Sequence, residues 1–199
     1  MKNDTNLEDV LKKKNREIYI KKLGIDLDKV LESLLITITN YINNAYIEVS
    51  MQLLSLENSD KGNKESPKRD LRSFYKKLKM YFESQLKDSF KKISTSIEKI
   101  ENVDYESVLL SEKEIIISNL KKYYCDNIDE IIRIIVETNQ NFSEERLEYY
   151  LKDYSYNKLM NIFNQILSDS FRIVLNSQQE SFQKYNTLND ITVNKQNNL

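Results

Sequence analysis

The chain has 199 residues, of which 40% are apolar and 31% charged, and its net charge is −1; that is enough apolar sequence for a sizeable core. With no His and one Cys, it excludes Ser-His-Asp and Cys-His nucleophiles, His- or thiolate-held zinc and CxxC redox pairs. Two Gly and one Pro are too few for the turns of a β-rich fold and cannot build a glycine-rich phosphate loop.

The first predicted helix opens at Thr5-Asn6-Leu7-Glu8, a capping box. It ends at Gly24, where a left-handed residue suits a helix C-terminus. A second helix starts at Asp26 and runs to about Leu56. Leu27, Leu31, Leu34, Ile38, Tyr41, Ala45, Val49 and Leu53 recur along it at steps of three and four. The turn from Leu34 to Ile38 is apolar on several sides and is expected to be its most buried part.

Residues 57–66 read as a polar linker ending at Ser66-Pro67, a helix-start signal. The third helix spans Pro67 to about Ile100 on Leu71, Tyr75, Leu78, Phe82, Leu86, Phe90 and Ile93. A second capping box, Ser111-Glu112-Lys113-Glu114, opens the fourth. Its stripe is Ile117, Leu120, Tyr124, Ile128, Ile131 and Ile135, and helical spacing outweighs the β-branched run 131–136. Phe142-Ser143 with Leu147 is a hydrophobic staple that restarts the helix at Glu144. The register slips between Leu151 and Tyr156, predicting a kink near 153–155. A last helix then runs to about Tyr185, with Leu159, Phe163, Ile166, Phe171, Val174 and Phe182 inward.

The expected fold is therefore all-α: an elongated antiparallel helical bundle of five to six helices, four of them long. It forms one domain over 1–185, followed by a disordered tail, 186–199. The N-terminus lacks the apolar segment of a signal peptide and no stretch is long enough to span a bilayer, so the expected location is cytoplasmic, with no membrane partner.

Three sets of residues could carry function. Arg69, Arg72, Lys76, Lys79, Lys87 and Lys91 form a basic flank on the third helix, suited to phosphate contacts, with Phe74 and Tyr81 as stacking surfaces. Tyr123, Tyr124, Tyr149 and Tyr150 are candidate protein-binding residues, because Tyr joins apolar area to a polar tip. Glu98 and Glu101, with Asp126 and Asp129, are paired carboxylates at i and i+3, able to offer oxygen ligands to Mg²⁺. This last set resembles the paired acidic motifs of all-α nucleotide pyrophosphohydrolases, over four residues and with Asp at two positions where Glu is usual. Cys125, beside the apolar stripe, reads as a buried small residue.

The halves differ in charge: residues 1–99 carry 20 Lys/Arg against 15 Asp/Glu, and residues 100–199 carry 10 against 16. This polarity can orient a partner or favour self-association. The function expected is a non-enzymatic protein-binding module, an inhibitor, adaptor or regulator, needing no cofactor, with a protein partner and self-association into a homo-oligomer as its expected interactions. Heavy use of Asn, Lys, Ile and Tyr matches AT-rich codons and points to a low-GC bacterium or a phage or other mobile element living in one, a composition that an AT-rich eukaryotic parasite would share. The first alternative is a nucleic-acid-binding protein using residues 68–92. The second is an Mg²⁺-dependent nucleotide hydrolase.

Overall fold

The computed structural model describes residues 4–56, 66–99, 105–138 and 143–196, with side chains over 9–53, 67–96, 105–138 and 143–188. Among these residues there is no strand. Four helical runs account for almost all of them. These are α1 (Asp4–Leu56), α2 (Ser66–Lys99), α3 (Tyr105–Thr138) and a final run in which α4 (Glu144–Glu148) passes through a π-helical segment (Tyr149–Ser155) into α5 (Tyr156–Gln196). No helix among the described residues is long and apolar enough to cross a membrane.

The helix expected to end at Gly24 does not end. Gly24 lies inside α1, and no described glycine has a positive φ. Leu23 and Leu27 are both buried on the stripe that continues to Leu34 and Ile38. Burying that stripe outweighs the roughly 1 kcal/mol that an interior glycine costs. Asp26, read as a helix start, instead accepts a 2.7 Å hydrogen bond from Ser177 Oγ on α5. A Cβ built on Gly24 meets nothing within 4 Å. Gly24→Ala should therefore stabilise the fold by about 0.5–1 kcal/mol, read as a higher urea midpoint.

Two further boundaries differ. The capping box at Ser111 lies inside α3, which starts at Tyr105, because Leu109 already belongs to the buried face that continues with Glu112 and Ile116. At the other end, α5 extends to Gln196, past the expected stop near Tyr185 and into the residues read as a tail. The start at Glu144 stands where the staple placed it: Arg146 N donates to Ser143 Oγ at 3.4 Å, and Leu147 is fully buried. Phe142 and the linker residues 57–65 lie outside the described residues.

Neighbouring runs are antiparallel, as their contacts show. On α1 and α5, Asp26 meets Ser177 while Glu48 meets Lys158. On α2 and α3, Phe74 meets Tyr124 while Lys92 faces Glu112. Lys113 reaches Ser168 while Tyr124 meets Tyr156, which sets α3 against α5. Between α2 and α5 the core is aromatic: Phe82 packs on Phe163 at 4.8 Å between ring centroids, and Phe90 on Phe171 at 5.8 Å. Two rings read as inward are exposed. Tyr41 gives way to buried Ile42, and Phe182 lies edge-on to Tyr19 at 6.4 Å.

Candidate interaction surfaces

Only half of the acidic set, Asp126 and Asp129, lies among the described side chains. Asp126 is held by Lys122 at 2.5 Å and Asp129 by Lys152 at 2.8 Å. Lys152 also binds Glu148 at 2.6 Å, and hydrogen bonds from its ammonium to Asp129 and Glu148 raise its pKa. The side chain of Glu98, and the whole of Glu101, lie outside the described residues. Among the described residues no group of three or more carboxylate or thiol side chains is placed to hold a metal ion.

The basic flank of α2 is divided among three surroundings. Arg69 lies 4.0 Å from Asp70, and Lys79 lies 3.6 Å from Glu83. Lys87 and Lys91 line a shallow groove of about 340 Å³ between α1 and α2, beside Gly24, Leu27 and Asp28. Arg72 and Lys76 are exposed. The aromatic residues read as stacking platforms are already occupied. Phe74 is buried against Tyr124 at 5.1 Å, and Tyr81 stacks on Tyr123 at 4.2 Å with the rings 12° from parallel.

The tyrosines separate in the same way. Tyr124 is wholly buried, because it shares a stripe with Leu120 and Ile128, so it cannot serve as a surface anchor. Tyr123 is half-buried beneath Tyr81. Tyr149 is exposed and meets Tyr150 edge-on at 5.3 Å. Cys125, read as buried, is exposed; it is one residue on from Tyr124, and that 100° rotation carries it off the stripe.

The register slip near residue 153 is a π-helical turn. Wider turns of this kind leave a backbone carbonyl without its usual helical donor. Tyr124 Oη donates to the carbonyl of Leu151 at 2.9 Å, and Tyr75 Oη and Ser155 Oγ are hydrogen-bonded at 2.7 Å. Burial pushes the Tyr75 phenol up to about 12. On the outer side of the turn, Tyr154 donates to Glu48 at 2.5 Å and Lys158 binds the same carboxylate at 2.6 Å. Those two bonds hold Glu48 below the usual carboxylate range. The π turn is thus fastened on both sides, a structural joint between α1, α2, α3 and the last run.

The surface least like ordinary solvent-facing helix is on α1. Ile18, Ile25, Ile36, Ile47 and Met51 are all exposed, Ile36 at 59% and Met51 at 65%. Steps of seven and eleven residues return to nearly the same side of an α-helix, so the four isoleucines form one line on the face opposite Leu27, Leu34, Ile38 and Val49, and Met51, four residues past Ile47, borders it. Ile36 is exposed although it lies within the turn expected to be most buried: there Leu34 and Ile38 are buried and Leu35 is partly so. Residues 33–47 contain no charged side chain, so over that stretch the exposed neighbours of the line include Ser33, Asn40, Asn43 and Asn44, while Lys29 and Glu32 border it on the N-terminal side of Ile36. Glu48, the first charge beyond, is committed to Tyr154 and Lys158.

No protein-family model, curated protein or solved structure matches this chain.

Proposed function

We propose that the chain is a non-enzymatic helical protein-binding module, an antiparallel bundle that presents the outer face of α1 to a protein partner. The observation that carries this reading is the line Ile18, Ile25, Ile36 and Ile47, bordered by Met51 and exposed on a stretch whose centre lacks charge. Depletion of charge at the centre of an apolar patch is the compositional mark of a protein interface. Exposed aliphatic side chains repeated along one helix face are the arrangement by which a helix enters a partner's groove or pairs with another helix. Tyr149 and Tyr154 lie on a different helical run, and Tyr154 is tied to α1 through Glu48.

A second reading, nucleic-acid binding by α2, is favoured by Arg72 and Lys76, which are exposed side by side on one flank. The occupied aromatic rings and the pairing of Lys79 with Glu83 weigh against it.

One experiment separates the two. Tagged protein is used to capture partners from host lysate with and without nuclease, alongside Ile36→Glu/Ile47→Glu and Arg72→Glu/Lys76→Glu. The expected result is a stoichiometric protein that resists nuclease and is lost, more than about tenfold, with the α1 variant alone. Capture that disappears with nuclease and with the α2 variant would transfer the function to the basic flank.

A further inference from the structure

The exposed isoleucines of α1 have a symmetry that a core stripe does not need. Ile25 and Ile47 each lie eleven residues from Ile36, so these three isoleucines read the same in both directions about Ile36. Eleven residues make three turns plus about 20°, a rise of about 16.5 Å. The three side chains therefore share one face over about 33 Å.

A helix carrying such a palindrome meets a second copy of itself in register when the two run antiparallel about a twofold axis. Residue i then lies opposite residue 72 − i: Ile36 opposite itself, Ile25 opposite Ile47, Lys29 opposite Asn43 and Glu32 opposite Asn40. Lys29, Glu32, Asn40 and Asn43 are all exposed. Lys29 and Glu32, the exposed charges nearest the axis on this face, each face an amide that can accept from the ammonium or donate to the carboxylate, and no like charges meet. A parallel pairing would set Lys29 on Lys29 and Glu32 on Glu32, which is repulsive.

The distribution of charge along α1 favours the same arrangement. Residues 9–29 carry seven Lys/Arg against four Asp/Glu, whereas residues 30–56 carry two acidic residues and no basic one. Antiparallel pairing lays the basic end of each copy along a stretch of the other that carries no basic residue and keeps the two basic ends apart.

From this register, charge pattern and exposure we infer that the partner of the α1 face is a second copy of this chain, paired antiparallel about a twofold axis at Ile36, with Ile25 of each copy against Ile47 of the other. The inference rests on the reading of α1 as a protein-binding face. An isologous contact of this kind closes on itself and yields a dimer, not a filament.

Sedimentation equilibrium of the full chain tests the stoichiometry, and cysteine cross-linking tests the register. The wild type should sediment at twice the chain mass of 23.7 kDa and dissociate on dilution. Ile36→Glu should weaken association more than about a hundredfold, since it sets two carboxylates together on the axis, while the helical circular dichroism stays unchanged. In a Cys125→Ser background, Ile36→Cys should form a disulfide-linked dimer on mild oxidation, whereas Met80→Cys, equally exposed on α2, should not. A wild type that stays monomeric at every concentration would overturn the self-pairing. If nuclease-resistant capture through α1 persisted in that case, the protein-binding reading would stand without it. A dimer that survives Ile36→Glu, or that cross-links equally through Met80→Cys, would overturn the register.

Discussion

Phe82→Ala is expected to lower the free energy of unfolding by about 3–5 kcal/mol, the usual cost of removing a fully buried aromatic ring and leaving its cavity. Phe82 has no exposed surface, and neither has Phe163, whose ring it meets at 4.8 Å. The pair joins α2 to α5 across the core, so truncation leaves a void that four helices would have to close together. Phe163→Ala should cost a similar amount. The double variant should cost less than the sum, because each single change already removes the shared contact. Urea unfolding followed by circular dichroism measures all three. Met80→Ala is the control: it removes a side chain of α2 that is 59% exposed and lies off the α1 face, and it should alter stability by no more than about 0.5 kcal/mol. Equal effects of Phe82→Ala and Met80→Ala would mean that the core is not where the structure places it.

Deleting Asp153 should leave the fold standing, whereas deleting Asn164 should abolish it. The buried residues Leu147, Leu151, Ser155, Leu159, Phe163, Leu167 and Phe171 follow one another at steps of four. In a straight α-helix each such step advances about 40°, so six of them would carry Phe171 well away from the face of Leu147. The π turn at Tyr149–Ser155 takes back about one residue's rotation, roughly 100° of that drift, and so realigns Leu147 and Leu151 before it with Leu159 and Phe163 after it. Removing the exposed Asp153 turns that segment into ordinary α-helix while preserving the orientation of both flanks. The cost is the acceptor of Tyr124, whose hydroxyl loses the freed carbonyl of Leu151, about 1–3 kcal/mol for a buried donor left unpaired. Removing the exposed Asn164 rotates the rest of α5 by about 100° and takes Leu167, Phe171 and Val174 off the core. Soluble yield and thermal unfolding distinguish the two, and equal damage from both deletions would contradict this account of the π turn.

The fold class was legible because steps of three and four fix a helical face whatever its partner, as Leu71 to Phe90 and Leu159 to Val174 show. Boundaries drawn from capping residues failed at Gly24 and Ser111 for one reason: the apolar stripe continues through each, and its burial outweighs the local signal. The π turn was visible as a slip of register between Leu151 and Tyr156, although a spacing cannot say whether a helix breaks there or widens.

The α1 face was hidden by its own composition. In the run Leu34-Leu35-Ile36, apolarity on several sides looks like depth, and the stripe that packs drew attention from the line that does not. Its signals were present in the sequence: Ile25, Ile36 and Ile47 at intervals of eleven, and no charge over residues 33–47. The tyrosine pairs misled because Tyr is frequent in the chain, and frequency does not separate Tyr124 in the core from Tyr149 on the surface.

The most direct measurement of the central claim uses two methionines the protein already has. Met51 lies on the proposed face of α1 and is 65% exposed; Met80 lies on α2 and is 59% exposed. Peroxide converts exposed thioethers to sulfoxides at rates that follow access, and peptide mass spectrometry reads each position separately. In dilute, partner-free protein the two should oxidise at similar rates. In the captured or self-associated complex, Met51 should be protected several-fold while Met80 continues at its free rate. Unchanged oxidation of Met51 in the complex, or protection of Met80 instead, would contradict the assignment of α1 as the binding face.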